Sequence, residues 1–233
     1  MVPVALAEEL DAPVWAALRG PHAAFAEISG RARRYDPEVS AWCGVDSLTA
    51  RAWQDLRELG GPGSVAVFFQ RATVEIPDGH ERLGAHLCVQ MIAPPDLGSP
   101  PIDVGTVTEL RADDFDEMAA LVASTRPGPF FPRTIELGGY VGVRVDGELV
   151  AMAGQRMRTP GACEISAVCT RDDHRGRGLA AALTARVAGA IVGRGEVPFL
   201  HARTENTAAR RLYEHLGFAT RADITVTVVK LPG

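Results

Sequence analysis

Lysine is almost missing from this chain: Lys230 is the single one among 233 residues, so positive charge rests on arginine. The arginines form no electrostatic stripe, and the net charge is -5. Phosphate backbones are gripped by clustered cations, so nucleic acid is not an expected partner. Also lacking is a C-x-x-C pair. Cys43, Cys88, Cys163 and Cys169 stand apart, without the spacing of zinc or dithiol motifs. His86 and Cys88 lie two positions apart, but nothing nearby completes a ligand set, and no metal is expected. Isolated thiols fit packed, reduced cysteines. No apolar run approaches the roughly 20 residues of a membrane span. Glu8, Glu9 and Asp11 stand where a signal peptide needs an apolar core. The expectation is a soluble cytoplasmic protein with no membrane partner.

What the chain does hold is apolar content of 46 %, enough for one large domain or two small ones. The sharpest break is Ala93-Pro94-Pro95-Asp96-Leu97-Gly98-Ser99-Pro100-Pro101, where four prolines forbid a continuous helix or central strand. We place an N-terminal α/β domain over 1–95, a linker over 96–103 and a second domain over 104–233. In the first, Asp11 to Leu18 and Leu48 to Leu59 read as helices, and 64–69 and 87–91 as short strands. No catalytic constellation stands out there.

The second half is easier to read. Val104 to Leu110 is a strand, and Asp114 with Glu117 reads as a capping box before a helix with Phe115, Met118, Ala119 and Val122 on one face. Asp146-Gly147 joins two strands, 140–145 and 149–157, as a hairpin. Pro160-Gly161 turns into a third strand, 163–170. Arg175-Gly176-Arg177-Gly178 then leads into a helix with Leu179, Leu183, Val187 and Ile191 along one side. A strand (199–203), a helix (207–216) and a strand (224–231) complete a mixed α/β sheet.

The glycine-rich turn follows a strand and opens a helix. Glycines let the backbone come close to a ligand, and the first helical N–H groups and the positive end of the helix dipole suit a pyrophosphate. A tight turn with solvated arginines explains the bare motif equally well. No Gly-Lys-Ser/Thr follows, so it is not a P-loop, and the third glycine of the dinucleotide fingerprint is missing.

Arg175, Gly178 and Ala180 match Gln/Arg-x-x-Gly-x-Gly/Ala, and the stretch resembles the acyl-CoA signature of the GNAT superfamily. Asn206-Thr207-Ala208-Ala209 through Leu212-Tyr213 to Leu216-Gly217-Phe218 resembles the second hallmark of that family, in the right order and spacing. The resemblance covers roughly Val104 to Leu231. Glu164 to Thr170 and Pro198 to Ala202 are most similar to the glycine N-acyltransferase-like branch, in which a divergent N-terminal half precedes the acyltransferase half. The resemblance implies a mostly antiparallel GNAT sheet flanked by helices, with a degenerate GNAT-like first half.

It further implies direct transfer from acetyl-CoA to a small-molecule amine or amino acid in a ternary complex, without a covalent enzyme intermediate or a metal. Two alternatives are an amino-acid acyltransferase using longer or aromatic acyl-CoA, and a non-catalytic acyl-CoA-binding module. Assembly into a homodimer is left open. By the family match, Glu164 is the candidate base, directly or through water, and Tyr213 the candidate acid. Each has a structural explanation, as a strand-end carboxylate and as part of the Ala209, Leu212, Tyr213, Leu216 core stripe. Cofactor contacts fall on Val168 (backbone N–H to the oxyanion), Thr170, Arg175, Gly176, Arg177, Gly178, Leu179, Ala180 and Asn206, the last also a plausible helix cap. The loop with Arg126, Phe130, Phe131 and Arg133 is the expected acceptor pocket. His201 reads as a packing residue, and His174 and His215 as surface residues.

Overall fold

The computed structural model describes residues 3–94, 97 and 106–233. Most of the expected linker at 96–103 lies outside the described residues, as do Val104 and Gly105 at the head of the expected strand. The chain opens with α1 (Val4–Asp11) and α2 (Pro13–Leu18). They replace the single helix expected from Asp11, because Pro13 donates no N–H and biases the residue before it away from helical backbone. Ala12 has φ −135° and ψ 66°. Next come β1 (Ala26–Ser29), β2 (Ala32–Tyr35), β3 (Trp42–Val45), α3 (Ala50–Gly60), β4 (Val65–Gln70) and β5 (Glu81–Ile92). β5 is far longer than the expected 87–91, because only its last residues are buried and its exposed start is held by pairing with a distant strand.

The second half runs β6 (Val107–Glu109), α4 (Phe115–Thr125), β7 (Val141–Val145), β8 (Glu148–Thr159), β9 (Ala162–Thr170), α5 (Leu179–Val192), β10 (Val197–Arg203), α6 (Thr207–His215) and β11 (Ala219–Lys230). Asp146 and Gly147 both take positive φ, 52° and 87°, as the two-residue β7–β8 hairpin requires. The capping box at Asp114 and Glu117 does not form. A 3-10 turn precedes α4, so the Asp114 carboxylate reaches back to the Arg111 N–H, at 2.8 Å, and Glu117 pairs with Arg144.

The strands form one sheet in the order β1-β2-β3-β4-β11-β5-β10-β9-β8-β7-β6. It is mixed and mostly antiparallel, with β3/β4 and β9/β10 parallel. A similar element order occurs twice: three strands, a helix, a strand parallel to the third, and a last strand, as β1–β2–β3–α3–β4–β5 and, with α6 added before the last strand, as β7–β8–β9–α5–β10–α6–β11. The last strands cross over. β5 pairs with β10, β11 pairs with β4, and the two pair with each other. Both halves therefore complete one sheet.

Strand alternation sends adjacent residues to opposite faces. On one face Leu179, Leu183, Val187 and Ile191 of α5 pack with Cys163, Ile165 and Leu200. On the other, Leu10, Val14 and Leu18 pack with Tyr35, Trp42 and Phe69 of the first half and Phe199 and Ile224 of the second. That second cluster joins the halves and underlies the site.

Candidate active site

β9 and β10 pair in parallel from Ala162/Val197 to Ile165/Leu200, and the ladder stops there. Beyond it β9 stays with β8 while β10 stays with β5. Both strand ends line a cleft of about 950 Å³. Within it β9 carries a bulge: Cys169 faces Met152 and Ser166 faces Gly154, so Ala167 and Val168 stand opposite one residue. Ala167 adopts φ 52°, a left-handed conformation rare outside glycine. A bulge releases backbone groups from the ladder, and both residues line the cleft.

The start of α5 lines the same cleft through Arg175, Gly176, Gly178, Leu179 and Ala180. Gly176 and Gly178 have φ 78° and 77°, which explains glycine at both. Among the described residues no side chain caps α5, and its first turn holds no acid, which leaves its leading N–H groups without a partner there. The equivalent helix of the first half differs: Thr49 accepts from the Ala52 N–H at 3.3 Å and closes that end of α3. Thr170 Oγ1 is buried beside the α5 turn with no hydrogen-bond partner among the described residues. An open helix end, two glycines and an orphaned hydroxyl fit an elongated phosphate-bearing ligand. Asn206 lines the cleft while its side chain caps α6, accepting from the Ala209 N–H at 3.1 Å. Arg177 is not among the lining residues.

Glu164 sits on the opposite face, 1 % exposed and outside the cleft lining. A second bulge, now on β8, sets Arg156 and Met157 opposite it, between the Ile165/Gln155 and Cys163/Arg158 pairs. The Glu164 carboxylate accepts from Arg156 Nε at 2.8 Å and Nη2 at 2.7 Å, and from the Met157 N–H at 3.3 Å. His201 Nδ1 lies 2.7 Å from its Oε1. Burial alone would raise the pKa of Glu164, but the charge and hydrogen bonds of Arg156, with the His201 bond, outweigh it and hold it at about 2. A carboxylate so strongly ionised is a weak base, so direct proton abstraction by Glu164 is not what this geometry favours.

The surrounding bonds fix the proton on His201. Gln90 Nε2 donates to the Leu10 carbonyl at 2.9 Å and approaches His201 Nε2 at 3.0 Å, while Gln90 Oε1 accepts from Arg221, itself paired with Asp11. With the amide so oriented, Nε2 of His201 accepts and Nδ1–H donates to Glu164. Burial lowers the pKa of His201, only partly offset by Glu164, so the ring is neutral. His201 is buried and hydrogen-bonded against Phe69 and Phe199, as a packing residue would be, and it also lines the cleft. Arg156 lies over Trp42 and Phe69, 5.5 and 5.8 Å from their ring centroids.

The remaining residues divide. Tyr213 lines the cleft with its ring in the α5-side core, and burial, then Cys169 and Glu164, raises its pKa to about 12. Phe130 lines the cleft, stacked on Phe115 and edge-on to Tyr140. Phe131 and Arg133 do not line it. Arg133 bonds Asp36 at 2.6 Å and Glu136 at 2.7 and 2.8 Å, a clasp between the halves that replaces its expected place in the acceptor pocket. His174 is buried and lines the cleft, bonded to Asp173 at 2.8 Å, which corrects its reading as a surface residue. A further wall was not foreseen: Trp42, Val67, Phe69, His86 and Cys88 of the first half, with Val226 and Val228 of β11. Among the described residues no Asp or Glu lines the cleft, whereas Arg126, Arg156, Arg175 and Arg203 do.

The family model described as FR47-like protein matches residues 140–227. The fold is similar to the crystal structure of a putative acetyltransferase from the GNAT family from Novosphingobium aromaticivorans, with 38 % identity, 96 % of this chain and 99 % of that one covered, and a TM-score of 0.85. A GCN5-related N-acetyltransferase from Kribbella flavida shares the fold at 22 % identity, with 94 % of each chain covered and a TM-score of 0.65. No curated protein matches the chain. The identity and coverage against the first of these structures, with the split parallel pair and the open helix end, show that the chain belongs to the GNAT family of acetyltransferases.

Proposed function

We propose that the protein transfers the acetyl group of acetyl-CoA to the primary amine of a small molecule by direct attack in a ternary complex. The observation that carries this reading is the bulged end of β9 beside the uncapped start of α5. The N–H groups from Gly176 to Ala180, with Arg175, are suited to the diphosphate. The backbone at Val168 and Thr170 would flank the pantetheine arm, and Thr170 Oγ1 would gain the partner it lacks. The first half reads as a degenerate second copy, since α3 is closed by its own cap.

In the reaction the amine nitrogen bonds to the acetyl carbon, the C–S bond breaks, and the nitrogen loses a proton. The Val168 N–H is the candidate stabiliser of the oxyanion. Tyr213, kept protonated by its raised pKa, is the candidate donor to the departing thiolate. Glu164 acts through Arg156 and His201, and the amine proton leaves to water in the cleft. The test is free-thiol release from acetyl-CoA across a panel of amines, with coenzyme A binding measured by calorimetry. Amine-dependent release with saturable binding is expected. Saturable binding with no release on any amine leaves a binding module instead.

A further inference from the structure

We infer that the acceptor is an anionic amine with an apolar body, an α-amino acid with a hydrophobic side chain, whose carboxylate is received by Arg156 and whose side chain lies on the Trp42 and Phe69 wall. This rests on the acyl-transfer reading and names its acceptor class.

Charge supplies the first argument. Arg126, Arg156, Arg175 and Arg203 line the cleft and no carboxylate does among the described residues. Arg175 pairs with Asp172 and is assigned to the diphosphate, Arg203 pairs with Glu205, and Arg156, though paired with Glu164, is the one beside the apolar wall. A polyamine or a lysine side chain brought there would leave its cations desolvated without a counter-ion. A carboxylated amine gains a partner instead. Nearby positive charge also lowers the pKa of its amine, favouring the neutral form that attacks.

Arg156 supplies the second. Glu164 holds its Nε and Nη2, while Nη1 has no hydrogen-bond partner among the described residues. The side chain is 16 % exposed and lines the cleft, its edge forked onto the Glu164 carboxylate and its face over the Trp42 and Phe69 rings. A guanidinium held so firmly loses little freedom on taking a guest, and its planar edge suits a carboxylate oxygen. The chain Asp11–Arg221–Gln90–His201–Glu164 then acts as a positioning device: it fixes the tautomer and the carboxylate, and the carboxylate fixes Arg156.

The wall supplies the third. Trp42, Val67, Phe69, Cys88 and Val226 offer an apolar surface around one charge. Phe69 also stands edge-on to His201, 4.4 Å between centroids, which ties the wall to the Arg156 support. Apolar pockets with a few placed polar groups bind ligands of matching pattern.

The experiment measures acetyl-CoA-dependent acetylation of phenylalanine and leucine, each beside its amide, and of spermidine. The amide keeps the body and loses the carboxylate charge, and because that also lowers the pKa of its amine, kcat/KM is compared per neutral amine from pH profiles of each substrate. The expected kcat/KM favours each acid over its amide by about tenfold to a hundredfold, with spermidine poorest, as for a charge-assisted hydrogen bond. The double variant Arg156→Met with Glu164→Gln leaves no buried charge unpaired. In it the acid-to-amide ratio falls towards one, mainly through KM, while the Kd of coenzyme A stays unchanged. Should that variant fail to fold, Arg156→Lys, which keeps the charge and loses the fork, is expected to give an intermediate ratio. Trp42→Ala is expected to raise KM for phenylalanine more than for alanine. An amide or spermidine acetylated as well as the acids, or a ratio unmoved in the variants, overturns the inference and leaves acyl transfer standing. Absence of thiol release with every amine counts against acyl transfer itself.

Discussion

Glutamine at position 164 keeps the shape of the side chain and one acceptor oxygen, but removes the charge that faces Arg156. In the folded protein Glu164 is held at about 2, against an ordinary 4.5. The folded state therefore binds that proton more weakly than the unfolded chain. The resulting stabilisation is full above pH 4.5 and is lost as pH falls towards 2. Its size is about 3 kcal/mol at pH 5 and above, about half that at pH 3, and little at pH 2. The variant also strands a buried guanidinium, so the loss at neutral pH is expected between about 3 and 5 kcal/mol. Urea unfolding of wild type and Glu164→Gln at pH 7, 5 and 3 measures the difference. The gap should hold from pH 7 to 5 and narrow at pH 3. A gap below about 1 kcal/mol at pH 7, or one that does not narrow in acid, would refute the buried ion pair as described.

Three further outcomes are expected. Tyr213→Phe lowers kcat by about a hundredfold or more while the Kd of coenzyme A is unchanged, as for a lost general acid; equal kcat in steady-state assays would return Tyr213 to the core alone. Gly178→Trp places a bulky residue at φ 77° beside the open start of α5, and calorimetry should detect no saturable coenzyme A binding. Arg133→Ala cuts the clasp to Asp36 and Glu136; it should lower the Tm and leave KM for the acceptor unchanged, and a raised KM would restore Arg133 to the pocket.

The second half was legible because its signals are local. Asp146-Gly147 marks a hairpin, Leu179 to Ile191 repeat at helical spacing, and two family signatures sit on the turn and helix they predict. The exchange of β5 and β11 was not, since strands more than a hundred residues apart leave no mark on each other's periodicity. The bulges of β8 and β9 hide for a related reason: only pairing register reveals a residue out of step. His201 and Arg156 look ordinary along the chain and become a cluster only when β8, β9 and β10 are laid side by side. Trp42 and Phe69 belong to a half with no motif, so nothing local pointed to a cleft built by the other half.

The crossed final strands have a consequence for synthesis. β5 leaves the ribosome about 130 residues before β11, a delay of roughly 6 to 25 s at ordinary elongation rates. During that interval β4 and β5 each offer a bare hydrogen-bonding rim that their own neighbours do not cover. Exposed rims of this kind recruit other chains. Ala219 to Lys230 is therefore the clasp that seals two open seams at once, and a ribosome stalled ahead of it would release a sticky nascent product.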